Sequence, residues 1–219
     1  MEYILNFSNF NQRQFGLTDH RIPAQQKAPT LAVIVKQYFV KKSNWRMSDF
    51  NIKENGELEV IASPTSSHTD FDFYIGKWNI HNKKLKERLN NCNEWTEFNS
   101  TDDTTHLLKG FANMNKFSAT FDGHSFEGIA IRLFNPQTRL WSIYWADSNA
   151  VSFDPPMVGS FDGNIGKLYC KDNFKGQDII VLFHWDKTDF DNPIWSQAFS
   201  TDNGKTWEWN WYMYAIRVK

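Results

Sequence analysis

From about Asp70 to Lys219 the chain is a succession of short runs rich in Val, Ile, Phe, Tyr and Trp, each ended by turn-forming residues, at intervals of about 10 to 14 residues. The stops are explicit at Asp122-Gly123, Asn135-Pro136, Asp162-Gly163, Lys175-Gly176 and Asn203-Gly204. Inside the runs the period is two. Ile129, Ile131 and Leu133 alternate with Ala130, Arg132 and Phe134, and Trp141, Ile143 and Trp145 alternate with Ser142, Tyr144 and Ala146. Trp207, Trp209 and Trp211 alternate in the same way with Glu208, Asn210 and Tyr212, which predicts that the three indoles share one face. No sustained helical period lies between the stops, so the pattern describes an antiparallel up-and-down meander rather than βαβ units. Several runs carry rings or aliphatics in both phases. A barrel with one face on an interior and the other partly covered reads this way, and a one-faced sheet does not.

Ten Trp, nineteen Phe and seven Tyr in 219 residues suit such a structure, since large rings fill pleated surfaces and line concave sites. Twenty-four Lys and Arg against 25 Asp and Glu leave a formal charge of −1, which argues against a polyanionic partner such as nucleic acid. Cys92 and Cys170 are too few for a disulfide scaffold and not spaced for zinc; one bridge between them is neither required nor excluded by the sequence. The opening residues lack a signal-peptide pattern, and no apolar run approaches the ~20 residues of a membrane span, so the expectation is a cytoplasmic protein.

Residues 1–69 are different in character, richer in Gln, Asn and Lys, and are expected to form an N-terminal extension to a barrel of residues 70–219. Leu31 to Val40 reads as a strand or short helix, Asn55-Gly56 as the turn of a hairpin, and Ser63 to Thr69 as a linker. The extension would lie on the barrel exterior or on a partner chain.

The stretch Asp70-Phe-Asp-Phe-Tyr-Ile-Gly-Lys-Trp78 resembles the opening signature of lipocalin-like proteins, in which a helical turn leads through Gly76-x-Trp78 into the first strand. Taken with Leu85-Lys-Glu-Arg-Leu89, Cys92-x-Glu94-Trp95, the run from Arg132 to Ser148, and Gln197 to Trp207, the order is similar to a bacterial domain family of unknown function. The resemblance covers about 150 residues, a span typical of one domain. It implies an all-β, lipocalin-like (calycin) barrel with a pocket, and no substrate. Some barrels of this class hold haem through a single histidine, so haem is carried as a minor alternative to having no cofactor.

Ser200-x-Asp202-x-Gly204-x-Thr206-Trp207 matches the Asp-box of sialidase-like propellers, but one copy without a blade repeat reads as a structural hairpin turn. Lys84, Lys86 and Arg88 share one face of an extended strand and form a candidate anion site beside the simpler reading of a solvated face. The six histidines make no metal-ligand spacing; His184, in phase with Ile180 and Leu182, is a candidate for an inward position. Arg132 stands out as a charge in an otherwise apolar run, Gly128-Ile-Ala-Ile-Arg-Leu-Phe134. A buried guanidinium demands an anionic or strongly polar partner, for which Glu94, Glu127 and a ligand carboxylate compete.

Three functional readings follow. The first is a binding module that takes a small, largely apolar molecule with a polar or anionic end, held by Arg132, Tyr144, Trp145, Asp147, Glu94, His184, Trp185, Gln197 and Asn210. The second is an isomerase, cyclase or hydrolase in the same cavity, with Glu94, Asp147 or His184 as proton carriers. The third is an interaction protein that dimerises through its extension and has a filled barrel. No G-x-S-x-G and no Cys-His neighbour point to a nucleophile.

Overall fold

The computed structural model describes residues 49–121 and 123–219, so the expectation for Leu31 to Val40 lies outside the described residues. Among the described residues twelve strands follow one another: β1 (Phe50–Ile52), β2 (Leu58–Val60), β3 (Gly76–Leu85), β4 (Trp95–Leu107), β5 (Ala112–Phe121), β6 (His124–Asn135), β7 (Leu140–Asp147), β8 (Met157–Asp162), β9 (Ile165–Phe174), β10 (Gln177–Asp186), β11 (Ile194–Ser200) and β12 (Glu208–Arg217). β3 to β12 form a closed antiparallel barrel in which every strand pairs with its neighbours in sequence, and β12 returns to β3 through the register Trp211↔Lys84 to Arg217↔Trp78. Helix is confined, among the described residues, to two three-residue 3-10 turns at Asp72–Tyr74 and Leu108–Gly110. The up-and-down barrel expected from the two-residue period and the turn spacing is therefore what the chain forms.

Two apolar layers explain why both phases of the strands are apolar. Along β10, Ile179, Val181 and Trp185 face the barrel interior, while Ile180 and Leu182 belong to a second cluster with Phe50, Tyr169 and Ala198 on the outside. The β1–β2 hairpin, turned at Gly56 with φ of 82°, covers that outer cluster with Phe50, Ile52, Leu58 and Val60. The Asn55-Gly56 hairpin is present as expected, and the described residues belong to a single compact unit.

One end of the barrel is plugged. Phe73 and Tyr74 of the first 3-10 turn and Phe71 just before it insert among Trp141, Phe161 and Trp185, with Phe71 edge-on to Trp141 and Phe161 at 4.9 Å each. Trp78 is fully buried, stacks on Tyr74 at 5.0 Å and donates Nε1–H to the Tyr74 carbonyl at 2.8 Å. Basic side chains tie the plug's backbone down. Arg217 lies over Trp78 at 4.2 Å and donates to the carbonyls of Phe73, Ile75 and Phe190 and to Asp191. Lys187 donates to the Asp70 carbonyl at 2.9 Å, and Arg139 to the carbonyls of Pro64 and Ser66. Ser63 to Thr69 is thus a clasped segment rather than the expected linker: Ser63 and Ser66 are buried, and Ser63 and Thr65 bond Asp162. A Ser/Thr-rich composition suits a linker, but the same hydroxyls satisfy turn amides when a partner surface is at hand.

β12 breaks the two-residue rule. Gln197 pairs with Trp211 and Ala198 with Trp209, so Asn210 is an extra residue that forms a bulge. The phase reverses there: Trp209 packs on the outer cluster and Trp211 on the inner one, and the single indole face expected for Trp207, Trp209 and Trp211 does not exist. The Asp-box is the expected turn. Asp202 accepts from the Thr206 amide at 2.9 Å and the Thr206 hydroxyl at 2.7 Å, and Gly204 takes φ of 84°.

Because Arg217 bonds three carbonyls and a carboxylate, two of the carbonyls half-buried, Arg217→Met is expected to destabilise the protein by roughly 2 kcal/mol, as for loss of charge-assisted bonds to partly buried acceptors. Urea denaturation checks this, with Lys205→Met as an exposed control that should change stability by less than about 0.5 kcal/mol.

Candidate functional site

Above the plug lies a cavity of about 310 Å³. Its wall is two-sided because the inward faces of neighbouring strands differ in chemistry. On β4 the inward positions are Ser100, Asp102 and Thr104, and with Asn82 of β3, Asn113 and Asn115 of β5 and Arg132 of β6 they make a buried polar layer. Ile143 and Trp145 of β7, Phe183 of β10, Trp195 and Phe199 of β11 and Trp211 of β12 give the opposite side an aromatic surface.

The centre of the polar layer is Asp102. Its Oδ2 accepts from the Tyr74 hydroxyl at 2.6 Å and its Oδ1 from the Asn115 amide at 2.5 Å. Burial raises its pKa to about 6, against the opposing pull of the Tyr74 bond, the Arg132 charge and the Asn115 bond. Burial likewise pushes the Tyr74 hydroxyl well above its ordinary value, with Asp102 adding to it. Arg132 is 4% exposed and donates Nη1–H to Asn113 Oδ1 at 2.9 Å. Its guanidinium lies 5.1 Å from the Phe71 ring, 5.2 Å from Tyr74 and 5.6 Å from Trp185, within cation–π range. Burial lowers its pKa, countered by Tyr74 and Asp102.

The polar layer is not fully satisfied. Among the described residues the buried side-chain atoms without a hydrogen-bond partner are Arg132 Nε, Asn115 Oδ1, Thr104 Oγ1 and Trp185 Nε1. Each such group costs about 1–3 kcal/mol. Arg132, Asn115 and Trp185 all line the cavity. At the far end stand Arg88, over the Phe174 and Phe199 rings at 5.5 and 5.4 Å, and the carboxylates of Asp147, Asp154 and Asp172.

Of the side chains singled out in the sequence, Arg132, Trp145, Asp147, Trp185, Gln197 and Arg88 line this cavity. The others do not. Tyr144 is on the outer phase of β7, edge-on to Phe153 at 6.2 Å. Glu94 is exposed and pairs with Lys86 at 2.8 Å, which holds both on the surface and leaves Lys86 out of any anion site with Arg88. Lys84 follows the inward phase of β3 but sits on the Trp211 ring at 4.1 Å, where burial, with the Arg88 charge adding to it, lowers its pKa to about 8. Asn210 is the bulge residue; its Oδ1 accepts from Gln197 Nε2 at 2.8 Å, so it supports a lining residue without being one. His184 does share a face with Ile180 and Leu182, but that face is the outer one beneath the hairpin, and its ring meets Trp209 at 5.8 Å. Neither Glu94 nor Glu127 meets Arg132; its counter-charge is Asp102.

Asp102, Tyr74 and Asn115 are the site residues that sequence reasoning missed. The available signal was the phase Ser100, Asp102, Thr104, a polar set repeating every second residue in a chain otherwise rich in aromatic phases. Cys170, also in the lining, is a free thiol raised by burial to about 12, and Cys92 is free as well.

Comparison with known proteins gives structural matches alone. No protein-family model matches the chain, and no curated protein matches it. The S-type phycobiliprotein lyase CPES of Guillardia theta superposes with a TM-score of 0.50 over 71% of this chain and 94% of its own, at 12% identity. The fold is a lipocalin-like, calycin barrel. Rv2717c of M. tuberculosis also matches, with a TM-score of 0.46 over 72% of this chain and 99% of its own, at 11% identity. Among the described residues, no helix of this calycin barrel is long and apolar enough to cross a membrane, and no group of three His, Cys, Asp or Glu is arranged to hold a metal ion.

The Asp102 carboxyl is expected to titrate near pH 6 in the folded protein, followed by carboxyl carbon NMR. Since the Arg132 charge and the Tyr74 bond both lower this value, Arg132→Met and Tyr74→Phe should each move the midpoint upward. The folded value lies above the unfolded one, so this group's contribution to stability is fully present below about pH 4 and is lost as pH rises through about 6.

Proposed function

We propose that the barrel binds a small, largely apolar molecule whose polar end reaches Arg132 at the floor of the cavity. The observation that carries this reading is the unpartnered, buried Arg132 Nε in a cavity whose other side is largely aromatic. A guanidinium fork buried at this depth with a donor to spare is costly without an acceptor, and a ligand supplies one. The aromatic side supplies non-directional burial at about 25 cal/mol per Å² of apolar area, with the polar end fixing orientation. A barrel whose interior was merely filled would not leave this volume, so the third, interaction-only reading is the least supported.

One observation favours the catalytic reading as the second choice. Asp102, with a pKa near neutrality and a hydroxyl bonded to it, is placed in the cavity as a general acid or base would be. Glu94 and His184 are too far out to share that work, and Asp147 stands at the mouth. One solved neighbour, the S-type phycobiliprotein lyase, is named as a lyase, which supports a substrate as well as a stored ligand for a barrel of this shape.

Native mass spectrometry of the purified protein, followed by extraction, tests the binding reading: a co-purifying small molecule at near-equal stoichiometry is the expected result. Val181→Phe places a ring in the cavity and should abolish retention while costing less than about 3 kcal/mol of stability. Arg132→Met should weaken rebinding of the extracted molecule by about 1.5–3 kcal/mol, the range for a hydrogen bond to a charged group. A ligand that rebinds Arg132→Met with unchanged affinity defeats the proposed orientation.

A further inference from the structure

The groups left unpaired at the floor are of both kinds. Arg132 Nε and Trp185 Nε1 are donors; Asn115 Oδ1 is an acceptor, fixed as the oxygen because the other end of that amide donates to Asp102. Asn115 and Arg132 are close: Asn115 pairs with Ala130 across β5 and β6, and Arg132 is the next residue on that face of β6. The floor therefore offers a donor and an acceptor side by side, with a second donor on Trp185, whose ring lies 5.6 Å from the Arg132 guanidinium.

The charge count points the same way. Arg132 is balanced by Asp102, and neither Glu94 nor Glu127 approaches. A carboxylate brought here would leave one uncompensated negative charge beside Asp102 in a water-poor cavity. A neutral group with a carbonyl and an N–H on one edge leaves none.

We infer that the end group this cavity takes at its floor is an uncharged planar amide, such as a lactam or carboxamide, rather than a carboxylate. The carbonyl oxygen accepts from Arg132 Nε and Trp185 Nε1, the N–H donates to Asn115 Oδ1, and the attached ring system lies against the aromatic side. This rests on the binding reading above and narrows its ligand class.

Four probes of similar size decide it, titrated at pH 8 with intrinsic tryptophan fluorescence and calorimetry as readouts: quinolin-2-one, its N-methyl derivative, 2-naphthoate and quinoline. Quinolin-2-one is expected to bind at least tenfold more tightly than the other three, and Asn115→Leu to reduce it to the level of the N-methyl compound while that compound is unaffected. Should Asn115→Leu fail to fold, the wild-type ranking alone decides. Equal binding of quinolin-2-one and its N-methyl derivative, or tightest binding by 2-naphthoate, overturns the amide assignment while leaving a ligand-binding cavity intact. Failure of all four to bind overturns the binding reading itself, and this assignment with it.

Discussion

Closing one end of a barrel with backbone is the constraint on which this structure turns. A strand barrel satisfies its own ladder bonds, but a chain segment folded across its end presents carbonyls that are partly withdrawn from water and need other donors. Here the segment from Ser63 to Gly76 fills the end, and its carbonyls are met by Arg217, Lys187 and Arg139, which come from three separate places along the sequence. Arg217 serves twice, since its guanidinium also covers the buried Trp78 indole. Phe71, Phe73 and Tyr74 can be held inside only because their backbone is tied down in this way. Tyr74 in turn reaches Asp102, so the polar floor of the cavity is set by the same closure that ends the barrel.

From that floor upward the cavity is divided by strand. β3 to β6 contribute Asn82, Ser100, Asp102, Asn113, Asn115 and Arg132, and β7 to β12 contribute most of the rings. Burying this many polar groups is tolerable because most satisfy each other, as Asn82 does with Ser100 and Trp211, and Arg132 with Asn113. Three of the four exceptions among the described residues, on Asn115, Arg132 and Trp185, belong to side chains that line the cavity, which gives it a direction as well as a volume.

The fold was legible because the two-residue period and the turn dipeptides are local signals that tertiary context did not override. Face assignment was less so. Ile180, Leu182 and His184 do share a face, but periodicity cannot say which face is inside when a hairpin covers the other; the β1–β2 hairpin makes the outer side of β10 as apolar as the inner. Trp209 and Trp211 were separated by a bulge at Asn210, a one-residue insertion that leaves no mark in the alternation of a Trp-rich strand. Arg132 was found because a lone cation in an apolar run is conspicuous. Asp102 was not, because beside Asp103 and a row of threonines it resembles an exposed strand, and its burial depends on where Tyr74 and Asn115 arrive from distant parts of the chain.

The ten ladders of the barrel are unequal. β3 pairs with β4 through ten residue pairs and β9 with β10 through ten, whereas β7 pairs with β8 through three, Trp141, Ser142 and Ile143. Tyr144 to Asp147 have no partner in β8, and Trp145, Asp147, Asp154 and Met157 border the cavity at this place. The shortest ladder of the ring thus lies beside the cavity. Amide exchange is therefore expected to be faster along this ladder than along the ten-pair ladders of the barrel, although the Asp154 amide still reaches the Trp145 carbonyl at 2.9 Å.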